Sequence, residues 1–187
     1  MQIQKLTADE IRTNALQDLC ELVSDAVSGG ASVGWVTVPS TLEASSYWDS
    51  VADQVHSGAM VVLIAQEASR VIGTVQLHLS GRPNGVHRAE VARLLVHSHA
   101  RRRGVGAALI AAIEAEALQH RVSLLLLDTR TGDPSQHLYE KIGYTLAGII
   151  PHYARGTTGT LEPTSIMYKA IKEVGRHTTS QGNPLEA

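Results

Sequence analysis

Apolar residues along the chain follow helix-like and strand-like periods in alternation. Thr7 and Glu10 form a capping-box pattern, which predicts one helix from there to a stop at Gly29 and Gly30. The apolar face of this helix comprises Ile11, Ala15, Leu19, Leu22 and Ala26. This spacing predicts that one side of the helix is buried.

Strand-like segments precede and follow a second predicted helix, which runs from a cap at Ser40 or Thr41 to about His56. The predicted strands are Gln2–Leu6, Met60–Gln66, Val71–Leu79 and Arg88–Val96. Short polar turns join the last three, which therefore form an antiparallel meander.

A third helix is predicted after Gly104, with Val105, Leu109, Ile113 and Ala117 on one face. The run from Ser123 to Asp128 does not alternate, so it predicts a central strand covered on both faces. A helix connecting two strands of one sheet makes them parallel.

The last helix is predicted between Asp133 and Gly143. Two final strands follow, Tyr144–Ile150 and Thr164–Ile171, with a polar loop over Pro151–Pro163 between them. The pattern predicts an α/β (α+β) fold with a mixed sheet of about seven strands and flanking helices. We expect one domain over residues 1–172 and a polar C-terminal tail over 173–187.

Composition narrows the class of protein. The net charge of −2 gives no case for a nucleic-acid partner. One cysteine, Cys20, excludes an internal disulfide and suits a reducing cytoplasm, and its place on an apolar helix face predicts a spectator thiol. No segment predicts a leader or a membrane span, so we expect a cytoplasmic protein without a membrane partner.

The stretch from Leu94 to Ala107 predicts a phosphate-binding site. A strand ends at Val96, three arginines and two glycines follow, and a helix then begins. Free N–H groups and the helix dipole attract anions at such a helix start. No lysine follows Gly106 as in a P-loop, and the third glycine of a dinucleotide fingerprint is absent.

Two motifs in this order resemble the GNAT family of N-acetyltransferases: Arg101-x-x-Gly104-x-Gly106 after a strand, and the segment from Leu138 to Tyr144. The resemblance implies the GNAT fold, acetyl-CoA as cosubstrate and a primary amine as acceptor. It implies that the backbone of Leu94 and Val96 pairs with the pantetheine arm and that amides of the turn hold the pyrophosphate. The implied cofactor-binding residues are Leu94, Val96, Arg101, Arg102, Arg103, Gly104, Val105, Gly106, Ala107 and Ser135.

Further patches resemble the tabtoxin-resistance acetyltransferases within that family. They are Gly29–Gly34, Pro83–Gly85, Arg88–Val91, Leu127–Thr129 and Pro163-Thr164. This resemblance implies a small-molecule amine acceptor such as a toxin or antibiotic, and a homodimer. The chain departs from family preference at Ser98, where proline is frequent, at Gly132, where asparagine is frequent, and at Ser135, where alanine is frequent.

Acetyl transfer needs a base for the ammonium form of the acceptor and an acid for the leaving thiolate. Glu90 and Asp128 lie on adjacent predicted strands and are the candidate bases; Glu90 could instead form an ion pair with Arg88 or Arg93. The resemblance implies Tyr139 as the acid, and the alternative is a tyrosine packed in the core.

The predicted acceptor site comprises Trp35, Glu90, Asp128 and Tyr153. His97 and His99 could ligate a metal, but no acidic or cysteine partner recurs nearby, so no metal is expected. Two other functions stay open at this point: a protein or peptide N-acetyltransferase, and a CoA-binding sensor without catalysis.

Overall fold

A computed structural model describes residues 1–172, and the predicted tail over 173–187 lies outside the described residues. The strands are β1 (Gln2–Lys5), β2 (Met60–Glu67), β3 (Arg70–Leu79), β4 (Arg88–Val96), β5 (Leu124–Arg130), β6 (Thr145–Arg155) and β7 (Leu161–Ala170). The helices are α1 (Ala8–Arg12), α2 (Leu16–Ser28), α3 (Thr41–His56), α4 (Val105–Gln119) and α5 (Pro134–Lys141).

The strands form one mixed seven-stranded sheet in the order β1-β2-β3-β4-β5-β7-β6. The predicted antiparallel meander β2-β3-β4 and the parallel pairing of β4 with β5 are confirmed. Ser40 caps α3 through a capping box with Glu43, so the start predicted for that helix is confirmed as well.

The prediction of one helix from Thr7 to Ser28 is wrong, because the chain breaks at Thr13 into α1 and α2. Thr13 leaves the helical region at φ −120° and ψ −90°, and its hydroxyl donates to the Asp9 carbonyl at 2.6 Å. This local bond competes with the helical ladder, as threonine hydroxyls do. The break lets Arg12 pair with Asp49 and Asp53 of α3.

The predicted loop over Pro151–Pro163 is also wrong in extent. β6 continues to Arg155, which pairs with Leu161, and the register is irregular between Ile150 and Ala154. Pro151 lies in this irregular, unpaired stretch of an edge strand, so it removes no ladder hydrogen bond. Tyr153 therefore lies on a strand rather than in a loop.

Each face of the sheet packs against its own set of helices. One face buries the apolar sides of α4 and α5 against Val91, Leu125 and Leu127. The other buries α1, α2 and α3 against Met60, Val62 and Ile64. No helix among residues 1–172 combines the length and apolar character needed to cross a membrane.

A wedge-shaped gap opens in the middle of the sheet. β4 and β5 pair over three residues, and the last pair is Glu90 with Leu126. β4 then bulges, since its register against β3 shifts between Thr74 and Gln76, and Arg93 in the bulge adopts φ +51°. The bulge bends β4 away from β5. Through this gap, a group bound on one face of the sheet can contact a group bound on the other face.

Candidate active site

One edge of the gap is formed by the end of β4. The amide of His97 donates to the Ile72 carbonyl on β3 at 2.9 Å. The backbone N–H and C=O groups of successive residues point to opposite edges of a strand. Because those of His97 face β3, those of Val96 and Leu94 face the gap. Past Glu90, β5 no longer pairs with this edge. The edge can therefore accept an extended ligand in place of a strand.

A row of free backbone amides follows directly. Among the described residues, the amides from Arg102 to Ala107 donate to no protein acceptor, and the first helical bond runs from Ala108 to Gly104 at 3.0 Å. Gly104 caps α4 at φ +82°, a conformation open to glycine. The result is an anion-binding cradle at a helix start, as the sequence predicts.

Gly106 brings this helix start close to the strand and to α5. A Cβ added there would lie 3.2 Å from Leu138 Cδ2 and 3.8 Å from both Leu94 and Val96 side chains. These apolar groups line the floor beneath the cradle.

The three arginines of the cradle differ in what they contact. Arg101 Nε donates to the Val96 carbonyl at 3.0 Å, and its amide contacts the Ser98 carbonyl at 3.4 Å. Arg103 forms a bidentate pair with Glu67 at 2.8 and 2.9 Å. Arg102 is exposed, has φ +62° and is in no ion pair within residues 1–172. Arg102 therefore has the cationic side chain most available to a phosphate.

The turn before the cradle is anchored by Asp25 of α2, which the sequence does not single out. Its carboxylate accepts the Ser98 amide at 2.8 Å and the Ser98 hydroxyl at 2.7 Å. Burial works to raise the pKa of Asp25, but these two bonds, with His97 and Arg101 nearby, outweigh burial and lower it. Ser98 thus supplies a backbone N–H that a proline at this position would lack.

On the α3 side of the sheet, Glu90 borders a cavity of about 160 Å³ lined also by Tyr47, Gln76, His78 and Arg93. Glu90 is exposed and pairs across the strands with His78. Burial lowers the pKa of His78, with Glu90 opposing and Arg93 adding to the shift. His78 is therefore neutral at pH 7. Neither Arg88 nor Arg93 forms an ion pair with Glu90 among the described residues.

Asp128 and Tyr139 lie at the β5 side of the gap. The Asp128 carboxylate is exposed and accepts a long bond from the Thr164 hydroxyl at 3.4 Å. The Tyr139 ring is buried with α4 and α5; its burial and the nearby Asp128 charge raise the pKa of its hydroxyl. Strand geometry places the Cα atoms of Glu90 and Asp128 at least about 8 Å apart.

The remaining predicted site residues have different surroundings. Trp35 is half-buried and contacts Tyr47 edge-on, with ring centres 5.0 Å apart, so it backs the cavity wall. Ser135 shares a 2.7 Å hydrogen bond with Thr129. Tyr153 is 52% exposed on β6, and no hydrogen bond or aromatic pair within residues 1–172 joins it to Trp35.

Two loops approach each other over the gap. A Cβ on Gly30, in the loop that carries Trp35, would lie 4.0 Å from the Thr157 hydroxyl in the β6–β7 turn. A larger depression of about 320 Å³ near Arg12 and Asp49 lies outside the gap. No group of three metal-ligating side chains occurs in the described part of the chain.

Some polar residues near Glu90 are not among the predicted site residues, although a pattern in the sequence indicates them. Thr74, Gln76 and His78 alternate with apolar residues along β3, which places all three on one face. That face is the one that carries Glu90. Tyr47 contributes a hydroxyl bonded to Gln76 at 2.9 Å, and only packing of α3 on the sheet brings it there.

Free amides at a helix start, an open strand edge and a nearby polar cavity are typical of an enzyme that transfers a group from a phosphorylated donor. Residues 17–144 match the model of the acetyltransferase (GNAT) family. The chain belongs to this family and is an acetyl-CoA-dependent N-acetyltransferase. The family and fold predicted from the sequence are thereby confirmed.

Three similar proteins illustrate the relationship. An uncharacterized N-acetyltransferase in the hisH-hisA intergenic region of Azospirillum brasilense is 30% identical over 124 residues, which cover 65% of this chain and 72% of that protein. The ribosomal-protein-alanine N-acetyltransferase of Brucella melitensis superposes with a TM-score of 0.76 at 20% identity, covering 91% of this chain and 100% of that one. Salmonella typhimurium yncA, a putative acetyltransferase solved with acetyl-CoA, has a TM-score of 0.74 at 16% identity, covering 94% and 96%.

Proposed function

We propose that this enzyme acetylates the primary amine of a small molecule by direct attack within a ternary complex. One observation carries the proposal: Glu90, the last β4 residue that pairs with β5, also lines the polar cavity on the α3 side, and the free amides at the start of α4 follow the other end of the same strand. A donor and an acceptor could then meet at the gap from opposite faces of the sheet. The cavity is small, and the loop that carries Gly34 and Trp35 packs beside it. Both features favour a small amine over a protein as the acceptor.

The residues of the cradle fit the diphosphate of acetyl-CoA. Six consecutive free amides, from Arg102 to Ala107, would bind its oxygens, and Gly104 permits the backbone turn that aims them. Val96 and Leu94 would pair with the pantetheine amides, which requires Arg101 Nε to share or release the Val96 carbonyl. Ser135, Arg101 and Arg103 remain predicted cofactor-binding residues, with Arg102 the best-placed cation.

In the proposed reaction, the ammonium form of the acceptor loses a proton, directly or through water, to Glu90. The free amine attacks the thioester carbonyl and the N–C bond forms. As the C–S bond breaks, Tyr139 protonates the thiolate. The acylated nitrogen then loses its second proton, which restores the Tyr139 hydroxyl, and Glu90 returns its proton to solvent. The products are the acetamide and CoA thiol, with one proton released to solvent. A backbone N–H near Val96 would stabilise the oxyanion. Asp128 is the second candidate base and an anion for the acceptor ammonium, and Trp35 and Tyr153 are proposed acceptor contacts.

Glu90→Gln and Asp128→Asn distinguish the two bases. Removing the base should lower kcat by about 10²-fold or more and abolish the acid limb of the pH profile of kcat/KM. We expect this for Glu90→Gln and a smaller loss without a change of profile for Asp128→Asn. Asp53→Asn, an exposed carboxylate on α3, is the matched control. An unchanged profile in Glu90→Gln would contradict the assignment.

The closer resemblance leads us to propose that the acceptor is a toxin or antibiotic, as in the tabtoxin-resistance enzymes, and that the enzyme works in the cytoplasm as a homodimer. Exposed apolar side chains on β6 and β7, among them Leu146, Ile149 and Tyr168, support a self-association surface. Sedimentation should give twice the chain mass. Expression in a toxin-sensitive bacterium should raise its tolerance, and no change in tolerance would contradict the resistance role.

A further inference from the structure

Arg93 holds an unusual place at the gap. It sits in the β4 bulge at φ +51°, a strained conformation for a non-glycine residue. Its guanidinium lies 5.8 Å from the centre of the Tyr47 ring, and Gly34 makes room for it, since a Cβ there would come within 2.9 Å of Nη2. The strained backbone and the close glycine both hold this cation against the cavity.

No anion in the described part of the chain compensates this charge. Arg93 takes part in none of the ion pairs or side-chain hydrogen bonds within residues 1–172, and its Nε is buried without an acceptor. A partly buried guanidinium without a partner is costly, because it has lost water and gained no hydrogen bond. By contrast, Arg130 in the same sheet has both Asp133 and Glu162.

The cavity that Arg93 lines presents two opposite charges to a ligand. Glu90 lies three residues earlier on the same strand, roughly 10 Å away along β4 before the bulge shortens the path. His78 lies across from Glu90 and is neutral, so it does not offset either charge. Such a pair of charges complements a small molecule that carries an ammonium and a carboxylate a few ångströms apart.

We propose that the acceptor is an amino acid or a similar carboxylate-bearing amine, with Arg93 as the residue that binds its carboxylate. The guanidinium donates one hydrogen bond to each carboxylate oxygen of the acceptor. The amine of the acceptor then lies on the Glu90 side and faces the gap. This inference rests on the proposed function, because it names the class of amine that enters the same cavity. Arg93 is a specificity residue, and it moves no proton in the reaction.

The test measures thiol release with the proteinogenic L-amino acids, each paired with its own carboxamide, and with spermidine as an amine that lacks a carboxylate. We expect kcat/KM for the best amino acid to exceed that for its carboxamide by about 100-fold. Arg93→Gln should remove most of this preference by lowering only the amino-acid value, while KM for acetyl-CoA stays unchanged. Arg93→Lys should keep part of it.

A carboxamide that matches its amino acid in the unaltered enzyme would overturn the inference without any variant. Equal losses on both acceptors in Arg93→Gln would overturn it as well. If spermidine or the carboxamides are acetylated and no carboxylate-bearing amine is, this inference fails while N-acetyl transfer to a small amine stands. If acetyl-CoA binds and no small amine of any kind is acetylated, the proposed function itself fails.

Discussion

Tyr139 and Tyr144 are buried neighbours whose ring centres lie 5.6 Å apart, and of the two only Tyr139 has Asp128 among the charges that act on its hydroxyl. Burial raises the pKa of both hydroxyls; the next contribution comes from Asp128 at Tyr139 and from Glu114 at Tyr144. A phenol with a raised pKa keeps its proton at pH 7. Tyr139 thus enters the reaction protonated, which is the state that an acid for the leaving thiolate requires.

Tyr139→Phe removes that proton with little change in volume. We expect kcat to fall by about 10²-fold, since the thiolate must then leave without a positioned acid. KM for acetyl-CoA should change little. Steady-state thiol release measures both constants.

Tyr144→Phe is the matched control, because it deletes the same group from the adjacent ring. It should keep kcat within about twofold. If both variants lose activity equally, the loss reflects core packing and Tyr139 has no role as an acid.

At the residue scale, prediction from sequence succeeds where a motif fixes a backbone conformation. The helix start at Gly104 could be predicted, because strand, turn and helix follow one another directly, and phosphate binding there stays a prediction. Arg93 could not be predicted as an unpaired cation. Its exposure to the cavity depends on a bulge in β4, and no residue type in the strand indicates that bulge.

At the scale of elements, we propose that the free amides at the start of α4 bind acetyl-CoA. Gly104→Val forces a β-branched residue into φ +82°, which should cost roughly 1–3 kcal/mol and displace the free amides. We expect KM for acetyl-CoA to rise at least about tenfold. Titration of acetyl-CoA into the folded variant checks this directly.

Gly58→Val provides the matched control, because Gly58 has φ +74°, equally open surroundings and a place just after α3. Its stability should fall by a similar amount with no change in KM. Equal effects of the two variants on KM would mean that the cradle does not hold the cosubstrate.

The Asp25–Ser98 contact joins α2 to the turn before the cradle. Asp25→Asn should cost about 1–2 kcal/mol at pH 7, because hydrogen bonds to a charged, largely buried group are lost or weakened. The folded-state pKa of Asp25 is lowered, so its contribution is present above its unfolded pKa and is lost as pH falls through the folded value.

Urea unfolding of both proteins across pH measures this contribution. The difference in free energy of unfolding should hold between pH 7 and 5 and shrink below about pH 4, as the Asp25 carboxylate is protonated. Ser98→Ala, which removes one of the two bonds, should show about half the effect. A difference that does not depend on acid pH would contradict the charge assignment.

Elements with strong periodicity or caps could be predicted closely. α3 begins at a capping box, and β4 has the bounds that its apolar run indicates. The break between α1 and α2 and the extent of the β6–β7 hairpin could not be predicted. Thr13 breaks the helix through a local hydroxyl bond, and Pro151 is tolerated because β6 happens to be an edge strand.

At the scale of the whole molecule, the gap between β4 and β5 lies between two helical layers, and we propose that the two substrates meet there. Direct attack also agrees with the position of the only cysteine in the chain. Cys20 lies on α2, and burial together with Glu21 raises the pKa of its thiol. A thiol of this kind is a poor acetyl carrier.

Initial rates measured with both substrates varied test the central claim that acetyl passes directly from thioester to amine in a ternary complex. The account predicts double-reciprocal lines that intersect, because both substrates occupy the gap before transfer. Parallel lines, with an acetylated enzyme isolated from acetyl-CoA alone, would contradict it.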